Sequence, residues 1–224
     1  MQMARHFHEE IRQLRQKLIE MGFAAEDAVA RACDAFFNSN PKLAQQVIQG
    51  DPVLNRLEIE IDEAGYSLFA LNQPVAFDLR QVLMMLKINT TLERVGDHAV
   101  NIAQKTLQVL EEPPIYIDFQ FEAMARSAGA ALRAALDAFL KEDAGMAREV
   151  LKQDDEIDRF NDQLFEVLKK YVEKNPHGAG AAFAYLSIGH NLERIGDLAG
   201  NIAEDVIFLK QGREVRHRIE LTES

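Results

Sequence analysis

Apolar residues along this chain recur at steps of three and four, in six seams. Phe7, Ile11, Leu14, Leu18, Met21, Ala25, Ala28, Ala32 and Ala35 form the first, with the 3.5-residue period of packed helices. Asn40-Pro41 reads as an N-cap followed by proline at the first helical position, and Asp51-Pro52 repeats that signature. Leu54, Leu57, Ile61, Ala64, Leu68 and Leu71 make a second seam, ended by Gln73-Pro74. Ile88, Leu92, Val95, Ala99, Ile102 and Val109 make a third, closed by Glu111-Glu112-Pro113-Pro114. A fourth runs Ile117, Phe121, Met124, Ala128, Ala131, Ala135, Ala138. A fifth runs Ile157, Phe160, Leu164, Val167, Tyr171. Past Asn175-Pro176-His177-Gly178, the sixth runs from Tyr185 through Ile188, Leu192, Ile195, Ala199, Ile202 and Val206 to Leu209. Nothing alternates with period two, so the pattern predicts an all-α chain without a sheet.

The plan repeats. Residues 88–104 (INTTLERVGDHAVNIAQ) laid over 188–204 (IGHNLERIGDLAGNIAE) agree at 10 of 17 positions, where ordinary composition gives about one. Upstream, residues 34–51 align with 137–154 at an offset of 103, which falls to 100 at the motif. A connecting loop three residues longer in the first half accounts for the change. Two tandem three-helix bundles related by internal duplication follow, 1–112 and 115–212, with 213–224 as a C-terminal tail.

Composition narrows the classes. The 224 residues carry a formal net charge of −11. That balance opposes nucleic-acid binding and attraction to anionic lipid. The single cysteine, Cys33, excludes an internal disulfide or a multi-thiolate metal site and reads as core rather than nucleophile. The N-terminus lacks the apolar stretch of a signal peptide, and the charge-free run 175–192 is too polar to span lipid. A cytoplasmic protein without membrane insertion is expected.

Candidate chemistry lies in the acids. At about 100° per residue, Glu93, Asp97 and Asn101 fall opposite the Leu92/Val95/Ala99 seam, and Glu193, Asp197 and Asn201 repeat the placement, so both stripes are expected to face outward. Asp51, Asn55, Glu58 and Asp62 line the second helix, and Asp154, Asp158 and Asp162 the fifth. Stripes that met across a groove would repel, and a hard divalent cation would remove the repulsion. Oxygen-only donors suit Mg²⁺, Mn²⁺, Ca²⁺ or iron. Three plainer readings stand beside this. Acid pairs on an outer face are ordinarily solvated, Arg94 and Arg194 can neutralise their neighbours, and Asp51 and Asp78 can be N-caps. His6, His8, His98 and His190 are expected to be surface or partly buried side chains rather than ligands. Gly96 and Gly196, costly inside helices by about 1 kcal/mol each, either admit a neighbouring helix closely or are merely tolerated.

Glu93-Arg94-Val95-Gly96-Asp97 and Glu193-Arg194-Ile195-Gly196-Asp197, each followed by Asn-Ile-Ala, resemble the paired motifs of the PhoU family, as does Gln73-Pro74 followed by Asp78-Leu79-Arg80. The likeness runs from about Phe7 to Leu209. It implies a cytoplasmic, often dimeric accessory protein that negatively regulates high-affinity phosphate uptake. Its implied partners are the ATPase of the phosphate ABC transporter and the phosphate-sensing histidine kinase. It also implies divalent metal (Mg, Mn or Fe) at paired acidic motifs. Carried across, these are Glu93 with Asp97, Glu193 with Asp197, Asp154 with Asp158, and Asp51 with Asn55, where Glu58 or Asp62 compensates for the neutral amide. Asn101 and Asn201 are further candidate ligands, and Asp78 and Arg80 candidate partner contacts. A non-catalytic adaptor is the expected function. The alternatives are a phosphoester hydrolase with a dinuclear metal site and a metal-free scaffold.

Overall fold

The computed structural model describes residues 2–212, apart from the side chains of residues 2–5 and 153–155. Among the described residues there are six α-helices and no strand: α1 Gln2–Phe37, α2 Pro41–Asn72, α3 Ala76–Glu111, α4 Phe121–Lys141, α5 Ala144–Lys174 and α6 Ala179–Gln211, with one 3₁₀ turn, Pro176–Gly178, before α6. Helices α1, α2 and α3 pack on one another, as do α4, α5 and α6, and α3 lies along α6 to join the two bundles. The apolar seams merge into one continuous core. The all-α, duplicated reading of the sequence is therefore the observed fold.

Helices α3 and α6 sit at the centre. Each touches both helices of its own bundle and the other central helix. They run antiparallel, since Lys87 Nζ reaches Asp205 Oδ1 at 2.9 Å while His98 Nδ1 meets Asn191 Oδ1 at 2.8 Å. Helices α1 and α4 are tied by Arg133 to Glu26. Phe36 meets Phe121 and Tyr185 edge-on, and Phe121 and Tyr185 are tilted against each other, where these helices meet α6.

Local signals explain the helix ends. Asn40 caps α2, its side chain accepting from Leu43 N at 3.1 Å with Pro41 at the first position. Asp143 caps α5 by accepting from Gly145 N and Met146 N. The second proline signature does not start a helix. Pro52 lies exposed inside α2, and Asp51 is helical rather than an N-cap. An internal proline costs about 3 kcal/mol, and the buried row Ala44, Val47, Leu54, Ile61 and Leu68 continues across it and offsets that cost. Asp78 is not a cap either. Val75 holds that position, and Asp78 lies in the first turn of α3, where a carboxylate suits the positive end of the helix dipole.

Three further expectations change. Ile117 precedes α4 and packs on the core from the connector. Leu71, placed in the second seam, is 77% exposed because α2 ends one residue later. The three extra residues of the first half are not in a loop. Helix α3 has 36 residues against 33 in α6, and the two end in equivalent register at Glu111 and Gln211, so α3 begins nearly one turn earlier.

Candidate functional site

Glycine spacing sets the site. A Cβ on Gly96 would lie 2.6 Å from Leu54 Cδ1, and one on Gly196 would lie 2.7 Å from Ile157 Cδ1. Leu54 and Ile157 are equivalent positions of the two halves. In each, the bare glycine lets the outer helix close onto the central one, and the motif's Glu and Asp flank the contact. Of the two readings of these glycines, close approach is the one realised.

That closure turns the acidic stripes. The wheel expectation of an outward face holds in part: Asp97, Asn101 and Asn201 are exposed, but Glu93 is half-buried and the Glu193 side chain is only 16% exposed. With three neighbours around α3 and α6, the glutamate end of each stripe meets the outer helix, while the asparagine end stays on the surface.

In the second half, carboxylate oxygens of Asp158, Glu193 and Asp197 lie within 4.8 Å of one another. It is the one such set among the described residues. Basic groups stand at its edge. Arg194 Nη1 donates to Asp197 Oδ2 at 3.0 Å, and His190 Nδ1 lies 3.2 Å from Glu193 Oε2. Burial, Arg194 and His98 hold the His190 pKa below its ordinary value, against Asp197. Asn161 presents a buried Oδ1 without a hydrogen-bond partner on the same helix, one turn beyond Asp158. The side chain of Asp154 lies outside the described residues.

In the first half, Asp51, Glu58, Asp62, Glu93 and Asp97 share one electrostatic environment. Burial first, then Asp97, Glu58 and Asp51, push Glu93 up to about 7 against the opposing charge of Arg94. Burial, Asp62 and Asp97 raise Glu58. Amides hold two of these carboxylates. Asn55 Nδ2 donates to Asp51 Oδ2 at 2.8 Å, and Asn55 Oδ1 is buried without a partner. Asn89, wholly buried, donates from Nδ2 to Asp62 Oδ1 at 2.9 Å and to the Glu58 carbonyl at 3.0 Å.

The two ladders differ by an exchange. At the 103-residue offset, Asn55 stands where Asp158 does, and Glu58 where Asn161 does. Each half keeps one acid and one amide across this pair, in opposite order. Asp62 has the half-exposed Phe165 as its counterpart.

The remaining candidates scatter. Asn101 is exposed, and Asn201 lines a groove of about 570 Å³ between α3 and α6 with Lys87, Thr90, Thr91, Arg94, Glu204 and Asp205. Asp162 is exposed. Arg80 packs over the Phe77 ring at 5.8 Å, and the Cβ position of Gly212 lies 3.4 Å from Arg80 Nη1, so Arg80 braces α3 against the end of α6. Burial raises the Cys33 thiol to about 12, far from a thiolate at neutral pH.

Sequence reasoning missed Asn89 and Asn161, because an amide in a carboxylate row carries no charge pattern. It also set His190 aside, although its spacing of three from Glu193 on one helix was a usable signal. The His98–Asn191 contact between the halves had no such signal, since the counterpart positions hold Leu198 and Thr91.

The PhoU domain model matches residues 18–106 and again 121–206. A protein of Caulobacter vibrioides named as a phosphate-specific transport system accessory protein PhoU homolog is 36% identical over 93% of this chain and 91% of its own length. One from Aquifex aeolicus with the same name is 32% identical over 93% of this chain and 95% of its own. The crystal structure of PhoU from Pseudomonas aeruginosa superposes with a TM-score of 0.88 at 34% identity, over 92% of this chain and all of that one. The phosphate transport system regulatory protein PhoU of Streptococcus pneumoniae gives 0.84 at 26% identity, over 93% and 99%. The chain belongs to the PhoU family.

Proposed function

We propose that this member of the PhoU family is a cytoplasmic, non-catalytic adaptor that restrains high-affinity phosphate uptake. It would do so by binding the transporter's ATPase and the phosphate-sensing histidine kinase, as a homodimer, with divalent metal on its acidic ladders. The observation that supports it most is that likeness to relatives named as accessory proteins of phosphate-specific transport runs through both repeats. No described helix is long and apolar enough to cross a membrane, which accords with an accessory subunit rather than a channel. An adaptor acts by its differential affinity for two states of its partner, and so needs surfaces rather than a reaction centre.

The metal part rests on donor chemistry. Asp158, Glu193 and Asp197 offer converging hard oxygen donors, with the buried Oδ1 of Asn161 on the same helix. That set fits Mg²⁺, Mn²⁺ or iron. In the first half Asp51, Glu58, Asp62, Glu93 and Asp97 would hold the ion. A bound cation would neutralise packed carboxylates and fix the outer helix on the central one.

Deleting the gene in its host tests the reading. Phosphate-starvation genes should then be expressed in phosphate-replete medium, and the wild-type chain should restore repression. Unchanged expression would reject the regulatory role. Turnover of simple phosphoesters with Mn²⁺, lost in Glu193→Gln, would replace the adaptor with a hydrolase.

A further inference from the structure

The repeat places a histidine at position 190 where position 90 is a threonine. Thr90 is exposed and turns its hydroxyl back onto its own helix, donating to the Leu86 carbonyl at 3.3 Å. It brings nothing to the first-half acids. His190 leans toward the second-half acids instead, with Nδ1 3.2 Å from Glu193 Oε2. Duplication thus set an imidazole beside one cluster and withheld it from the equivalent position of the other.

The placement is that of a ligand. A histidine and a glutamate three residues apart on one helix project from one face, and helical bundles use that spacing to bring an imidazole and a carboxylate to one ion. With bonds of roughly 2.1 Å, neighbouring ligands on an octahedral ion stand about 3 Å apart. Nδ1 and Glu193 Oε2 are already near that separation. Glu193 in turn belongs to the set in which carboxylate oxygens of Asp158, Glu193 and Asp197 lie within 4.8 Å of one another. A second neutral donor reaches α6 from α5. The buried, unpartnered Oδ1 of Asn161 lies 3.8 Å from where a Cβ on Gly189 would stand, one turn before Glu193. Gly189, next to His190 in the chain, has no side chain in its way. In the first half Asn89 fills that position.

Nitrogen changes which ion such a set prefers. Carboxylates and carbonyls alone suit Mg²⁺, Ca²⁺ or Mn²⁺, whereas imidazole favours the later transition metals. We propose that His190 is a nitrogen ligand of the second-half metal site and gives that site a preference for a transition-metal ion over Mg²⁺ and Ca²⁺. The inference rests on the reading that the ladders bind metal. The His190 side chain is 52% exposed, which gives it room to turn onto an ion entering from solvent. The competing role is a charged one, in which the protonated ring is only an ion-pair partner of Glu193.

The test uses the purified full-length protein, without a histidine tag, and compares wild type with His190→Thr. That variant installs the residue of position 90, and melting temperatures check that it folds. Pulsed EPR of bound Mn²⁺ reads nitrogen on the ion directly. We expect imidazole-nitrogen coupling in wild type and its loss in His190→Thr. Calorimetric titrations with Ni²⁺ and Mg²⁺ read the preference. His190→Thr should weaken Ni²⁺ binding at least tenfold and change Mg²⁺ binding less than threefold. Equal changes for the two ions, or tighter binding of both, would overturn the ligand role and leave His190 an ion-pair partner. Wild-type Mn²⁺ binding without nitrogen coupling would overturn it too, while metal on the carboxylates would stand. A wild type that binds neither Mn²⁺ nor Ni²⁺ would overturn both. Coupling that survives His190→Thr and disappears in His98→Leu, which installs the residue of position 198, would overturn the assignment to His190.

Discussion

Two carboxylate clusters, built on equivalent helices of one duplicated bundle, are held in different ways. In the second half three acids converge within 4.8 Å, and Arg194 and His190 attend them. In the first half five acids share an environment, and the neutral amides of Asn55 and Asn89 bind two of them. The glycine contacts that close each outer helix differ by only 0.1 Å. Duplication thus preserved the packing and let the chemistry diverge. One cluster converges and is offset by bases. The other keeps more negative charge at the cost of raised carboxyl pKa values.

The largest test separates the clusters. With metal bound at both, Asp158→Asn/Glu193→Gln should weaken the tighter Mn²⁺-binding event by about a hundredfold, roughly 2.7 kcal/mol. Glu93→Gln/Asp97→Asn should leave that event in place and remove the weaker one. Calorimetric titration reads both. Identical heats for wild type and both variants would dispose of the metal reading in either half.

Packing should respond equally where chemistry does not. Gly96→Val and Gly196→Val each drive a side chain into the helix opposite, and overpacking of this kind costs about 1–3 kcal/mol. Denaturant unfolding should show matching losses for the two variants. A loss confined to one would mean that the halves are not equivalent even in their cores.

The legibility of the molecule follows the same division. Helices, repeat and motif residues were readable because heptads and a 10-of-17 match survive without coordinates. The direction of the acids was readable for the exposed Asp97 but not for Glu93 and Glu193, which turn inward. A helical wheel knows one seam, but α3 touches α1, α2 and α6, so part of the side opposite Leu92 and Val95, at Glu93, borders another helix. Gly96 held the missing information, and its value depended on which residue stood across from it. The amides Asn89 and Asn161 stayed hidden for a related reason. Asn89 shows its place only through hydrogen bonds that cross to α2, and Asn161 only through a buried Oδ1 that has no partner.

The exchange of Asn55 and Glu58 for Asp158 and Asn161 supplies a smaller, constructive test. Asn55→Asp/Glu58→Asn writes the second-half order into the first. If the order of acid and amide sets the difference, the weaker Mn²⁺-binding event should strengthen by about tenfold, near 1.4 kcal/mol. No change would assign the difference to Arg194 and His190 instead, and Arg194→Gln would then move the second site alone.

Proton linkage gives the smallest effect and a sharp sign. Burial and neighbouring acids lift Glu93 from its ordinary 4.5 to about 7. A raised carboxyl pKa means that the neutral form stabilises the fold. That contribution is whole below about pH 4.5 and is lost as the pH climbs through 7. Without metal, Glu93→Gln should therefore melt with wild type at pH 4 and above it at pH 8, by about 2–4 °C for each kcal/mol relieved in a chain of this size. Saturating Mn²⁺ should reverse the order at pH 8, because the cation turns the crowded carboxylate from a liability into a ligand that glutamine replaces poorly. In the second half the basic neighbours already offset part of the repulsion, so Glu193→Gln should gain less in the metal-free protein at the same pH. An equal gain in both halves would show that Arg194 and His190 do not relieve the cluster they border.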